Sequence, residues 1–175
     1  MRIQIIGGSG TGKSSLAKYI SENEAIKWID TDAYLWKDHS FTENNSIERR
    51  QELYQMDFET RSGYVVSGSI FMWRSDGFNN RDLLIFLSLD EESRMERLRT
   101  REMKRQTTGK MWLDENGTAT NDFLEWCKTY WAADDISMTG TYVEQAYQME
   151  NSQSPVLKMA DLNHWKSCIV KFWSN

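Results

Sequence analysis

The sequence predicts an α/β fold, a parallel sheet with helices on both faces. Short apolar or β-branched runs alternate along the chain with stretches of helical periodicity. One run, Leu83-Leu84-Ile85-Phe86-Leu87, is apolar without alternation, as a strand covered on both faces requires. The connections are short, and no internal repeat or low-complexity segment breaks the order.

Arg2 to Ile6 is the first strand and stops at Gly7-Gly8. Lys13 to Glu22 places Leu16, Ala17 and Ile20 at helical spacing. Ala25 to Ile29 is a second strand, ending at Asp30. From Ser46 to Arg61, the residues Ile47, Leu53, Met56 and Phe58 predict a helix closed by Gly63. Tyr64-Val65-Val66 is the third strand and ends at Ser67-Gly68-Ser69. Leu83 to Leu89 is the fourth; Asp90 then caps a helix from Glu91 to about Lys104. Asn121 to Ala133 and Thr141 to Glu150 predict two more helices. Pro155 precedes a fifth strand at Val156-Leu157-Lys158-Met159. Asp161 caps a last helix carrying Leu162, Trp165, Ile169, Val170 and Phe172. The stretch from Lys104 to Thr120 is polar, glycine-containing and weakly periodic, which predicts a lid or mobile loop within one domain spanning residues 1–175.

The length of 175 residues fits that single domain. With 21 Lys and Arg against 26 Asp and Glu, the net charge is −5. No global positive field exists to hold a nucleic-acid backbone, so nucleic acid is not an expected partner. Any bound anion needs a local device. The longest apolar stretch falls far short of the ~20 residues of a membrane helix, and no membrane partner is expected. Cys127 and Cys168 form no paired motif, and with His39 and His164 they make no zinc ligand set. Reduced thiols in a cytoplasmic protein are the expectation. The sequence leaves the oligomeric state open between monomer and homodimer.

The local device is the run Gly7-Gly8-Ser9-Gly10-Thr11-Gly12-Lys13-Ser14, which fits G-x-x-x-x-G-K-[ST] between a predicted strand and a predicted helix. Its glycines let backbone N–H groups turn inward around a phosphate. The helix N-terminus that follows, through Ser14 and Ser15, adds unpaired donors and partial positive charge. Lys13 is positioned to meet the β- and γ-phosphates of ATP, and the Ser14 hydroxyl to ligate Mg²⁺.

The guanine-reading motif of GTPases and the signature of transporter ATPases are both absent. On the glycine loop, on Trp28-Ile29-Asp30-Thr31-Asp32-Ala33-Tyr34-Leu35-Trp36 and on the basic run from Arg94 to Arg105, the chain resembles the P-loop nucleoside and nucleotide kinase group. That group includes adenylate kinase-like and shikimate kinase-like enzymes. More narrowly, the chain looks like the bacterial adenylate kinase-like or DNA topology modulation ATPases; Phe123-Leu124-Glu125-Trp126 and Ser154-Pro155-Val156-Leu157 add to this likeness. The resemblance implies a five-stranded sheet in the order 2-3-1-4-5, Mg-ATP as cofactor, and transfer of the γ-phosphoryl group to a small acceptor. Ligands would then lie at the carboxyl ends of the strands, where the order reverses.

By the same resemblance, Asp30 stands nearer Mg²⁺ with Ser14, and Asp32 orients or deprotonates the acceptor hydroxyl. The plain reading of the pair is a turn or helix cap. Arg101 or Arg105, at the helix end beside the expected lid, would cover the phosphates, and Arg97 would lie along the adenine. The interleaved Glu91, Glu92, Glu96 and Glu102 equally fit ion pairs on a solvated helix face. Ser67, Gly68, Ser69 and Arg74 are candidates for acceptor contact, with Trp36 as a possible wall of that pocket. Trp126, Trp131, Trp165 and Trp173 read as core or helix-packing residues. Strand three departs from the pattern, because it ends in Ser67 where many relatives carry a metal-supporting aspartate. That departure keeps an alternative open: a slow ATPase, or a nucleotide-binding regulatory module acting through a macromolecular partner.

Overall fold

The computed structural model describes residues 1–38, 43–59, 63–105 and 111–160. The predicted last helix with Trp165 and Cys168 lies outside them, as do Trp173, His39, His164 and Arg61. Strand β1 (Arg2–Ile6) leads into α1 (Lys13–Glu24), β2 (Lys27–Asp30), the single turn α2 (Asp32–Leu35) and α3 (Ile47–Glu59). Then come β3 (Tyr64–Ser67), β4 (Leu83–Leu87) and α4 (Glu91–Arg105). A small hairpin, β5 (Trp112–Leu113) and β6 (Ala119–Thr120), precedes α5 (Asp122–Lys128), α6 (Tyr142–Glu150) and β7 (Val156–Met159).

The main sheet has the order β2-β3-β1-β4-β7. Every pairing in it is parallel. With β7 as the fifth strand, this is the expected topology. The sheet is covered on both sides because its strands carry apolar residues at successive positions. Ile3, Ile5, Val65, Leu83, Ile85 and Leu87 pack with Leu16, Ala17 and Ile20 of α1. On further patches, Ile6, Leu84 and Phe86 meet Met149 of α6, while Ile29 and Val66 join an aromatic cluster of Tyr34, Tyr54, Tyr64 and Phe78.

Register brings the functional ends together. Ile5 pairs with Ser67, and Ser67 with Asp30. The loop at Gly7, the carboxylate of Asp30 and the turn at Gly68 therefore leave the sheet along one edge.

Two expectations need correction. α5 ends at Lys128, capped by Thr129, and does not run to Ala133. On so short a helix Leu124 and Cys127 take the inward positions, so Trp126 and Trp131 stand 43% and 46% exposed, outside the core, although Trp131 packs on Tyr142 of α6 with ring centroids 4.5 Å apart. The stretch expected to be a lid or mobile loop carries, over 112–120, the antiparallel β5/β6 hairpin. Its turn is shaped by Asp114, whose Oδ1 accepts from the backbone N–H groups of Asn116 and Thr118. Short polar turns of this kind have too little periodicity to announce two-residue strands. Residues 106–110 of that stretch lie outside the described set. Among the described residues, no helix is long and apolar enough to cross a membrane.

Candidate nucleotide-binding site

The glycine loop is built to bring backbone, not side chain, to its mouth. Gly7 has φ 148°, and a Cβ there would run into the carbonyl oxygen of Leu87. Gly10 has φ 87°, and a Cβ would sit 2.8 Å from Leu98 Cγ. Both positions exclude any larger residue while the loop stays pressed onto β4 and α4. Thr11 is buried and closes the turn, its Oγ1 donating to the Gly8 carbonyl at 2.9 Å. α1 begins after Gly12, which supplies no side-chain cap. Helix geometry then leaves the first-turn amides of Lys13, Ser14 and Ser15 without intrahelical acceptors, with the positive end of the helix dipole behind them. Such an arrangement fits a phosphate chain.

The loop is braced from beneath by Arg94, a fully buried side chain of α4. Its Nη1 donates to the Ser9 carbonyl at 3.0 Å and its Nη2 to the Cys127 carbonyl at 2.7 Å. Glu91 pairs with its other edge at 2.8 and 2.7 Å. The guanidinium lies 4.9 Å over the Tyr130 ring. That ring also lies under Gly8, where a Cβ would come within 3.0 Å of it. The basic run is thus not one solvated face. Arg94, Met95, Leu98 and Glu102 form its buried side, while Arg97 is exposed. Periodicity alone cannot mark a buried arginine, although the four-residue spacing of 94, 98 and 102 is its trace in the sequence. Cys127 is free, and burial pushes its thiol up to about 11, which leaves it unreactive.

Lys13 sits half-buried at the loop mouth, with Nζ donating to the Gly8 carbonyl at 3.0 Å. Burial pulls its pKa down to about 8, against the opposing pull of Asp32 and Asp30 and with a further push from Arg101. Burial and the neighbouring Asp32 raise the Asp30 carboxyl. Asp30 Oδ1 accepts from the Asp32 backbone N–H at 3.2 Å, which fixes the first turn of α2. Lys13, Asp30, Asp32 and Arg101 therefore share one electrostatic neighbourhood. Arg101 lies 5.3 Å over the Phe123 ring. Arg97, Thr100, Arg101 and Lys104 line an open cleft with Glu96 along the outer side of α4. Arg105 stands exposed at the end of α4, paired with Glu102 at 3.6 Å.

The pKa of Lys13 gives a sign-definite test. A phosphate chain favours the charged ammonium, so nucleotide binding draws a proton from solvent where the free side chain is partly neutral. Proton uptake is expected at pH 8.5 and little at pH 6.5, and Lys13→Met should abolish it. Calorimetry in buffers of different ionisation enthalpy measures it; equal heats at pH 8.5 would remove Lys13 from the phosphate site.

The candidate acceptor residues are already engaged within the protein. Ser67 is buried and its Oγ accepts from Trp28 Nε1 at 2.9 Å. Gly68 lies against Thr31, and its backbone N–H donates to the Ile5 carbonyl at 2.9 Å. Ser69 Oγ donates to Glu144 Oε1 at 2.9 Å. Glu144 is fully buried and also accepts from the Gly140 N–H at 2.6 Å and Gln148 Nε2 at 2.7 Å. Burial raises its carboxyl pKa, partly offset by those donors. Arg74 sits 4.6 Å over the Tyr54 ring and pairs with Asp76 at 3.4 Å. Trp36 is half-buried and bridges to Asn44. Sequence reasoning missed Glu144, since a glutamate in the first turn of a helix normally reads as a surface residue.

No protein-family model matches this chain. In structure it resembles shikimate kinase from Bacteroides thetaiotaomicron, with a TM-score of 0.59 and 16% identity over 99% of this chain and 96% of that one. It also resembles deoxyadenosine kinase from M. mycoides with bound dATP, with a TM-score of 0.53 and 13% identity over the full length of both. At these identities the likeness is one of fold. In sequence it is 31% identical over 160 residues to the uncharacterized protein YqaC of Bacillus subtilis, covering 91% of this chain and 88% of that protein. The chain belongs to the same family as YqaC, and its fold is that of the P-loop kinases.

Proposed function

We propose that this protein is a Mg-ATP-dependent kinase that passes the γ-phosphoryl group of ATP to a small acceptor, a nucleoside, nucleotide or small hydroxy compound. The observation that carries this reading is a loop whose glycines at Gly7 and Gly10 cannot be replaced without collision, opening on Lys13 at the sheet edge where β2 ends in Asp30. The named activities of the two structural relatives, one on shikimate and one on deoxyadenosine, fit an acceptor of this class.

The loop amides from Gly8 to Ser15 and the Lys13 ammonium bind and orient the triphosphate. The Ser14 hydroxyl is exposed beside them and, with Asp30, would hold Mg²⁺. One or two protein ligands suffice for that ion when phosphate oxygens complete its shell, and when bound it neutralises charge on the β- and γ-oxygens. Asp32 is exposed on the first turn of α2, placed to orient an acceptor hydroxyl and take its proton. Arg101 and Arg105 supply charge to the transferring group, and Arg97 would lie along the base. Ser67, Gly68, Ser69 and Arg74 would shape the acceptor side through the contacts already given. Catalysis of this type is positioning and electrostatics, with no covalent intermediate.

Incubation with Mg-ATP and a panel of nucleosides, nucleoside monophosphates, sugars and hydroxy acids, followed by mass spectrometry, tests the proposal. A phosphorylated acceptor that disappears with Lys13→Ala is expected. One feature favours the second reading, a slow ATPase or nucleotide-dependent regulator of a macromolecular partner. β3 ends in a buried, bonded Ser67 and not in a carboxylate. ATP hydrolysis indifferent to every acceptor would turn the assignment that way.

A further inference from the structure

The buried side of α4 is apolar at Met95 and Leu98, and one turn later it places Glu102, only 4% exposed. An apolar residue would continue the stripe without desolvating a charge, so the carboxylate needs a reason to be there. Its partners give one. Oε1 lies 3.5 Å from Arg101 Nε and 3.6 Å from Arg105 Nη1. Oε2 accepts from Asn121 Nδ2 at 3.3 Å. Asn121 in turn caps α5 through Oδ1 and the Leu124 N–H at 2.9 Å, directly after the β5/β6 hairpin. One anion thus stands between two guanidinium groups that repel each other, and ties both to the base of the hairpin.

The way Arg101 is held is specific. Glu102 meets its Nε edge, and Phe123 lies under its plane. Its buried Nε makes no hydrogen bond among the described residues and meets Glu102 as an ion pair, and its Nη groups make none there either. Arg101 follows Leu98 by less than one turn of α4, and Leu98 is the side chain against which Gly10 of the glycine loop is pressed.

We propose that Glu102 is a positioning residue: its buried carboxylate holds the Arg101 guanidinium by an ion pair on the Nε side, and shares Arg105, so that the Nη fork of Arg101 is presented to the terminal phosphate of the bound nucleotide. This rests on the kinase reading above. A buried anion draws a guanidinium to its own side by charge, which an apolar side chain at the same place cannot do.

The test compares ATP with ADP by calorimetry, since a residue acting on the terminal phosphate changes their ratio and one acting only on the fold does not. Wild-type protein is expected to bind ATP more tightly than ADP. Glu102→Gln should lower the ATP:ADP affinity ratio by about tenfold, the scale of coupling between residues of one ion-pair network. Arg101→Met should lower it similarly, and the double variant should fall no further than Arg101→Met alone. If Glu102→Gln melts too low to assay, Glu102→Asp, which keeps the charge and withdraws it by one methylene, should still reduce the ratio. The proposal is overturned if the ratio survives either Glu102 variant, or if the losses at 101 and 102 add. Should Arg101→Met leave the ratio intact while Lys13→Met abolishes binding, the nucleotide site stands and the role of Glu102 falls. Wild-type protein that binds neither nucleotide would remove the kinase reading itself.

Discussion

Replacing Lys13 by methionine should lower phosphoryl transfer by about 10²–10³-fold, the usual consequence of losing one preorganised charge at a transferring group. It should weaken ATP binding as well, since the ammonium would meet the β- and γ-phosphates in the ground state too. The same change should not cost stability. The folded-state pKa of Lys13 is pulled down to about 8 from an ordinary 10.5, so the folded protein disfavours the charged form. Below pH 8 that penalty is fully present, and it fades as pH rises toward 10.5. At pH 7 the methionine variant should therefore melt at or above the wild-type temperature while losing nucleotide affinity. Calorimetric melting and ATP titration on one sample check both halves. A variant that melts lower and binds ATP normally would mean that Lys13 is a structural residue and that phosphate goes elsewhere.

The division between what could be read from the residues and what could not has a physical basis. Strand runs such as Leu83–Leu87 and the glycine loop after β1 are local patterns, and the structure places the strands in the order expected. The place of Asp30 at the end of β2 was legible because strand ends in a parallel sheet converge on one edge. The residues that support the site were not legible, because their role depends on what packs against them. Arg94 and Glu102 look in sequence like Arg97 and Glu96, yet the first two are buried and the second two exposed. Nothing local separates them; the distinction is made by α5 and Tyr130, which arrive from later in the chain. The same is true of Ser69, whose partner Glu144 is 75 residues away. Trp126 and Trp131 show the other limit: each packs a ring on a neighbour, Phe123 and Tyr142, yet the short α5 leaves both outside the core.

Arg94→Met should have the largest effect on stability. The guanidinium is buried and supports four separate interactions, with the Ser9 and Cys127 carbonyls, the Glu91 carboxylate and the Tyr130 ring. Methionine fills much of the volume but donates nothing. The Cys127 carbonyl keeps a backbone donor in the Tyr130 N–H at 3.3 Å, and Glu91 is 40% exposed, so water can reach it. The Ser9 carbonyl has no such substitute among the described residues, so the loss concentrates on the glycine loop. Breaking a buried charged network by removing one partner costs about 3–5 kcal/mol. For a chain of this size that lowers the melting temperature by roughly 6–20 °C. Nucleotide binding supplies the discriminating measurement, because a ligand stabilises the folded state in proportion to the logarithm of its saturation. If Arg94 merely fills space, the variant melts lower but gains the same number of degrees as wild type when ATP is added. If it fixes the Ser9 peptide and so the direction of the loop amides, the ATP-induced gain shrinks with the melting temperature. Arg94→Lys, with one point charge for three acceptors, should fall between the two on both measures.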